Sequence, residues 1–215
     1  MFLGALLLLA ACTGEPPLIG SVRYTILAVE DREADIRYES LSVFAAVASP
    51  DGYDDLETWR VRHPGVEAYW ELTSDDWEIG EWDDRTWVGA EGLFAPDGFT
   101  VPRGRYELSV ADLAGRNADT HFEVRTLGFA LDDAVFPELI REGDEVRVEP
   151  TGDHLRITIT DSEGARLSTL DSASYVLDSV ELDENIGDGA VRLYLASRIE
   201  RSDVWLISGP WMWPQ

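Results

Sequence analysis

PRGRYELSVADLAGRNADTHFEV, residues 102–124, decides the fold. Tyr106, Leu108 and Val110 alternate with Glu107, Ser109 and Ala111. That period of two sends one set of side chains into a core and the other outward. Asp112-Leu113-Ala114-Gly115 then supplies turn residues, and Gly115 is free to take the positive φ such turns need. The chain returns through Thr120, Phe122 and Val124, so the segment reads as a β-hairpin.

The same grammar extends in both directions. Upstream, Val22 to Val29 is a strand rich in β-branched and aromatic residues, and Leu41 to Ala48 (LSVFAAVA) is apolar enough to be buried on both faces. A turn cluster at Pro50-Asp51-Gly52 precedes strands at Thr58 to Arg62 and Glu67 to Leu72. Downstream, a helical turn is expected at Pro137 to Arg141. Val146 to Val148 is a strand, and His154 to Asp161 (HLRITITD) alternates strictly. Asp161-Ser162-Glu163-Gly164 repeats the D-x-x-G turn, and Val191 to Ala196 with Val204 to Ser208 forms a second closing hairpin.

The 102–124 hairpin, with Pro-x-Gly-x-Tyr before its alternation, resembles the last two strands of immunoglobulin-like and fibronectin type III-like domains. That resemblance implies a structural role for Tyr106, tying down the corner before its strand. The inter-sheet cysteine pair of antibody domains is absent. The expected fold class is all-β, two small immunoglobulin-like β-sandwich domains in tandem, with one continuous β-sandwich as the alternative. The expected boundaries are domain 1 over 21–126, a connector over 127–143 and domain 2 over 144–215.

The N-terminus carries a different signal. Phe2 to Ala11 is a short apolar run, too short for a hydrocarbon core that needs roughly twenty residues but right for a signal peptide. It ends Leu9-Ala10-Ala11-Cys12, which resembles the lipobox of bacterial lipoproteins. The resemblance implies that residues 1–11 are removed and that Cys12 is lipidated, anchoring the chain to a membrane. No Arg precedes the run, so either the α-amino group is its only positive charge or the start lies upstream. Cys12 is the sole cysteine, so no disulfide forms within the chain, and lipidation accounts for an otherwise leftover thiol. Residues 12–20, with Pro16-Pro17, read as the lipidated cysteine and its tether. The localisation expected is the cell envelope, facing the periplasm or the cell exterior.

Charge narrows the partners. Asp and Glu number 42 against 17 basic residues, all of them Arg, for a net charge of −25. Such a surface repels phosphate backbones and anionic head groups, so nucleic acid is excluded and any membrane link comes from Cys12. The acidity reads in two ways: as a solvated envelope protein from an organism of skewed base composition, which the missing Lys fits, or as adaptation to high salt, where counterions screen the carboxylates.

Reactive groups do not converge. His63, His121 and His154 lack metal-ligand spacing, and no nucleophile elbow, P-loop or H-E-x-x-H occurs. No catalytic residue, cofactor or metal is therefore expected. The oxygen-rich loop Asp183 to Gly189 fails the spacing of a calcium loop, as do Asp75-Asp76 and Asp83-Asp84, so all three read as solvated turns.

Tryptophan is the remaining signal. Trp59, Trp70, Trp77, Trp82 and Trp87 crowd one segment, and Trp70, inside an alternating strand, is expected in the core. Trp77, Trp82 and Trp87 are spaced five apart with carboxylates between, a period of neither helix nor strand, so the segment is a loop or two short strands joined by a turn. These three are the candidate ligand-binding residues, for an envelope protein or a glycan; the competing reading is packing at the end of a small sandwich. The proline-bracketed end, Gly209 to Gln215, is expected not to form a central strand but to fold back over a core edge or dock on a partner.

Overall fold

The computed structural model describes residues 14–66, 68–95, 98–126, 128–143, 145–149, 152, 154–172, 174–178 and 191–213. The signal segment, Cys12 and the 183–189 loop lie outside the described residues. Within them the chain is strands joined by turns, with 3-10 turns at Tyr53–Asp55 and Leu131–Asp133.

The first half supplies β1 (Leu18–Asp31), β2 (Ile36–Ala48), β3 (Leu56–His63), β4 (Ala68–Leu72), β5 (Glu78–Trp82), β6 (Arg85–Phe94), β7 (Gly104–Asp112) and β8 (Asn117–Val124). They pair as β1-β2-β6-β5 on one side and β4-β3-β7-β8 on the other. Lettered in chain order, this is the A-B-E-D and C-F-G arrangement of an immunoglobulin sandwich, with β4 as an added edge strand. Between the sheets lies a core built from the inward period-two positions of both. Ile26, Leu41, Val43 and Val88 meet Trp59, Val61, Leu108 and Val110 there.

Two features expected of such a sandwich stand in place. Tyr106, fully buried near the start of β7, donates its hydroxyl to the Pro102 carbonyl at 2.8 Å, which is the corner tie. Trp59 is wholly buried on the third strand, the position where antibody domains pack a tryptophan on their disulfide.

The second half contributes β9 (Glu138–Glu142), β10 (Glu145–Glu149), β11 (Leu155–Thr160), β12 (Arg166–Ser172), β13 (Val176–Asp178), β14 (Val191–Arg198) and β15 (Val204–Trp213). Its sheets are β13-β10-β9 and β12-β11-β14-β15. Val146 and Val148 pack there against Leu155, Ile157, Leu193, Leu195 and Trp213. The helical turn expected at 137–141 is instead strand β9, because Leu139 drops into this core while the backbone pairs with β10.

The halves are joined through backbone. Strand β15 pairs in parallel with β1, from Ile26 opposite Val204 to Asp31 opposite Gly209. One sheet of eight strands results, ordered β12-β11-β14-β15-β1-β2-β6-β5. Beneath that seam Phe136 and Ala134 of the connecting segment pack on Ala28 and Leu206.

The proline-bracketed end corrects its expectation. Residues 204–213 form one strand, flanked on both sides up to Gly209 and paired with β14 alone from Trp211 to Trp213, not a peptide folded over an edge. Pro210 is tolerated because the ladder to β1 stops at Gly209 and the pairing with β14 is irregular between Leu193 and Leu195. Trp213 then reaches the second core, and Trp211 donates to the Ser208 hydroxyl at 3.0 Å.

Candidate functional site

The eight-stranded sheet has two faces. Its inner face is covered by the two shorter sheets. Its outer face carries the opposite period-two positions and no layer of described residues. Along β1 these are Arg23, Thr25, Leu27 and Val29, in register with Phe44, Ser42, Ser40 and Tyr38 of β2. Across the seam Leu27 pairs with Trp205 and Val29 with Ile207. The face is hollowed into a groove of about 920 Å3 that runs from β12 to β5 and so draws on both halves.

Aromatic rings stand along this groove. Trp82 and Phe44 meet edge to face at 5.3 Å at one end. Tyr194 on β14 and Trp205 on β15 stand farther along, short of β12, with His154 edge-on to Trp205 at 5.7 Å and the Arg156 guanidinium 5.3 Å from its centroid. Between the aromatic groups the floor sets the hydroxyls of Thr25 and Ser42 beside Leu27, and Thr158 lies beyond Tyr194 on β11. Ser42 is 6% exposed and its Oγ has no hydrogen-bond partner. A buried hydroxyl without a partner forfeits about 1–3 kcal/mol of solvation.

Charge in the groove is close to balanced. Arg23, Arg156 and Arg166 line it with Glu91 and Asp171. Arg23 is ion-paired with Asp83, and Arg156 donates to Asp171 at 2.8 Å. Hydrogen bonds from Arg156, against a desolvation cost and aided by His154, hold the Asp171 carboxyl below the usual carboxylate range. The carboxyl is therefore ionised at neutral pH.

The three tryptophans chosen from the sequence do not form one exposed face. They sit on and beside a hairpin, β5 and β6, whose two-residue turn Asp83-Asp84 has positive φ at both positions. Trp77, just before β5, is buried in the first core. Trp87 lies on the groove side of the sheet but is 2% exposed, because Trp82 tilts against it and Arg23 lies over its ring at 4.6 Å. Its Nε1 donates to the Trp82 carbonyl at 3.0 Å. Trp82 alone of the three is presented, at 45% exposure. Trp70, expected in the core, only borders it and donates to the Phe94 carbonyl at 2.8 Å.

Sequence reasoning missed Trp205 and Tyr194. Both were assigned to strands, but only the seam between β15 and β1 puts them on the same surface as Trp82. The signal available was their parity with Arg192 and Ile207 on outward positions.

Two further chemistry-bearing residues, His63 and Asp76, have structural partners. His63 Nε2 lies 3.0 Å from the Arg103 carbonyl, and Asp76 accepts from the Thr73 amide and hydroxyl. Among the described residues no three His, Cys or carboxylate side chains gather in a way that could hold a metal ion.

No family model matches the chain, and neither does any curated protein sequence. Among solved structures the chain is similar to the crystal structure of Dpr11 IG1 bound to DIP-gamma IG+IG2, at 12% identity over 88% of this chain and 97% of that chain, with a TM-score of 0.24. A likeness at that score carries no argument about role, and the architecture rests on the strand order itself.

Proposed function

We propose that this chain is a lipid-anchored, non-enzymatic protein of the cell envelope, facing the periplasm or the cell exterior, whose body holds a partner on the open face of its long sheet. The observation that carries the binding role is the groove. It crosses both halves and combines Trp, Tyr and Arg, the residue types that dominate binding energy at recognition surfaces. The anchor rests on the Leu9-Ala10-Ala11-Cys12 sequence. Lipoproteins of that kind carry more than one acyl chain, and two chains hold stably where one is marginal.

Both parts are tested in cells expressing the full chain. Metabolic labelling with an alkyne fatty acid should mark the protein and sediment it with membranes, and Cys12→Ala should abolish both; an unlabelled protein in the soluble fraction removes the anchor. Purified protein should then bind washed envelope fragments, with Trp82→Ala and Trp205→Ala each weakening it. Absence of any envelope binding removes the partner-holding role.

A further inference from the structure

We infer that the groove across the open face takes an uncharged polysaccharide chain lying over the seam between the two halves. This deepens the partner-holding role proposed above and rests on it.

The spacing of the rings is the first argument. Trp82 on β5 and Trp205 on β15 are separated by β1, β2 and β6. Four inter-strand steps put them roughly 19 Å apart across the sheet. A ligand touching both is extended and several rings long. The apolar C–H face of a pyranose matches an indole, and a chain of pyranoses offers that face repeatedly.

The floor between the rings is the second. It sets the hydroxyls of Thr25 and Ser42 beside the apolar Leu27, a mixture that suits the alternating hydroxyl and C–H surface of a sugar ring. Ser42 Oγ is buried, unpartnered and placed on the groove side between Ser40 and Phe44. A sugar hydroxyl both donates and accepts, and so satisfies it in either sense.

Charge decides between glycans. The whole chain carries −25, and a polyanion approaching it is repelled. Within the groove Arg23 and Arg156 are already neutralised by Asp83 and Asp171. Such pairs still present N–H donors and carboxylate lone pairs to hydroxyl groups while requiring no counter-charge from the ligand. A neutral chain gains these hydrogen bonds without the long-range repulsion.

The test is affinity electrophoresis of the full chain, purified in detergent, through native gels containing dextran, galactomannan, hydroxyethylcellulose, a β-1,3-glucan or alginate. At least one of the four neutral polymers should retard the protein, with an affinity that varies less than twofold between 50 mM and 500 mM NaCl. Trp82→Ala and Trp205→Ala should each weaken it at least tenfold, since the chain spans both rings. Ser42→Ala and Arg166→Ala, which leave the cores untouched, should weaken it several-fold and keep the measurement informative if a tryptophan variant fails to fold.

Failure of all four neutral polymers to retard the protein overturns the inference. So does retardation by alginate alone with a steep salt dependence, or retardation that both tryptophan variants retain. Envelope binding that survives while the neutral polymers fail, and that protease treatment of the envelopes abolishes, assigns the face to a protein partner and leaves the broader role standing.

Discussion

Leu27 of β1 and Trp205 of β15 are register partners in a parallel ladder that makes one sheet of two sandwich halves. Below them Ala28 and Leu206 are the buried pair of the same ladder, roofed by Phe136. The seam is thus backbone hydrogen bonding on one level and apolar packing on the next. Each half loses both if the other unfolds.

Heat or urea should therefore unfold the protein in one transition, seen at the same midpoint by tryptophan fluorescence and far-ultraviolet circular dichroism. Leu206→Ala should cost about 2–5 kcal/mol, the range for truncating a buried leucine, and should separate the two probes. Two transitions in the unaltered protein would contradict this account of the seam.

The D-x-x-G turns predict a pH dependence. Asp112 accepts the amides of Ala114 and Arg116 at 3.0 and 2.9 Å and the Arg116 Nε at 2.6 Å. Burial alone would raise its pKa, but the hydrogen bonds and charge of Arg116 outweigh that and hold the carboxyl below its ordinary value. A carboxyl depressed in the folded state contributes stability that is fully present above its unfolded pKa of about 3.9 and is lost as pH falls through the folded value. Asp112→Asn should lower the urea midpoint at pH 7 and converge on the unaltered protein as pH drops below about 4. A gap that stays constant down to pH 2 would show that geometry, not charge, carries the effect.

Glu39 and Arg103 fasten β2 to the segment leading into β7. Glu39 is 2% exposed, accepts the Val101 amide at 2.9 Å, and takes Arg103 Nη2 on its two oxygens at 2.7 and 2.8 Å. Arg103→Ala strands a buried carboxylate and should cost about 3–5 kcal/mol. Arg103→Ala with Glu39→Met should cost clearly less than the single change, because no buried charge is left unpaired. Chemical denaturation of the unaltered protein, Arg103→Ala and the double variant checks it; a double variant at least as unstable as Arg103→Ala rules it out.

How much of this was legible in the sequence depended on range. The hairpin of residues 102–124 and the role of Tyr106 were readable because alternation and turn chemistry are local. The second D-x-x-G turn was readable too. Asp161 accepts the Glu163 and Ala165 amides as Asp112 accepts those of Ala114 and Arg116. Gly115 and Gly164 take positive φ at the same place in each. Yet the first turn joins the last two strands of its half, and the second joins the third and fourth. A shared turn is thus a solution to local geometry and says nothing of duplication. The seam was not legible, since pairing between residue 27 and residue 205 leaves no period in either segment. The tryptophans failed for the same reason. Which rings are covered depends on the register of Trp87 opposite Gly80, which sets Trp82 diagonally across it on the same face.

That register makes the emission of the protein assignable. All eight tryptophans fall among the described residues, and Trp82 is the exposed one, with Trp70, Trp205 and Trp211 half-buried. Trp59, Trp87 and Trp213 are almost wholly buried, and Trp77 is little more open. Acrylamide should therefore quench a red-shifted fraction of the fluorescence, and Trp82→Phe should remove most of it with little change in stability, since half of that ring's surface already faces water. Trp87→Phe should act differently. It deletes the hydrogen bond to the Trp82 carbonyl and leaves the Arg23 guanidinium over a smaller ring, so the β5–β6 hairpin should lose stability. Its Trp82 should become more quenchable, not less. If Trp87→Phe instead removes the accessible fraction and Trp82→Phe does not, the order of the two rings is reversed. The groove then begins at Trp87.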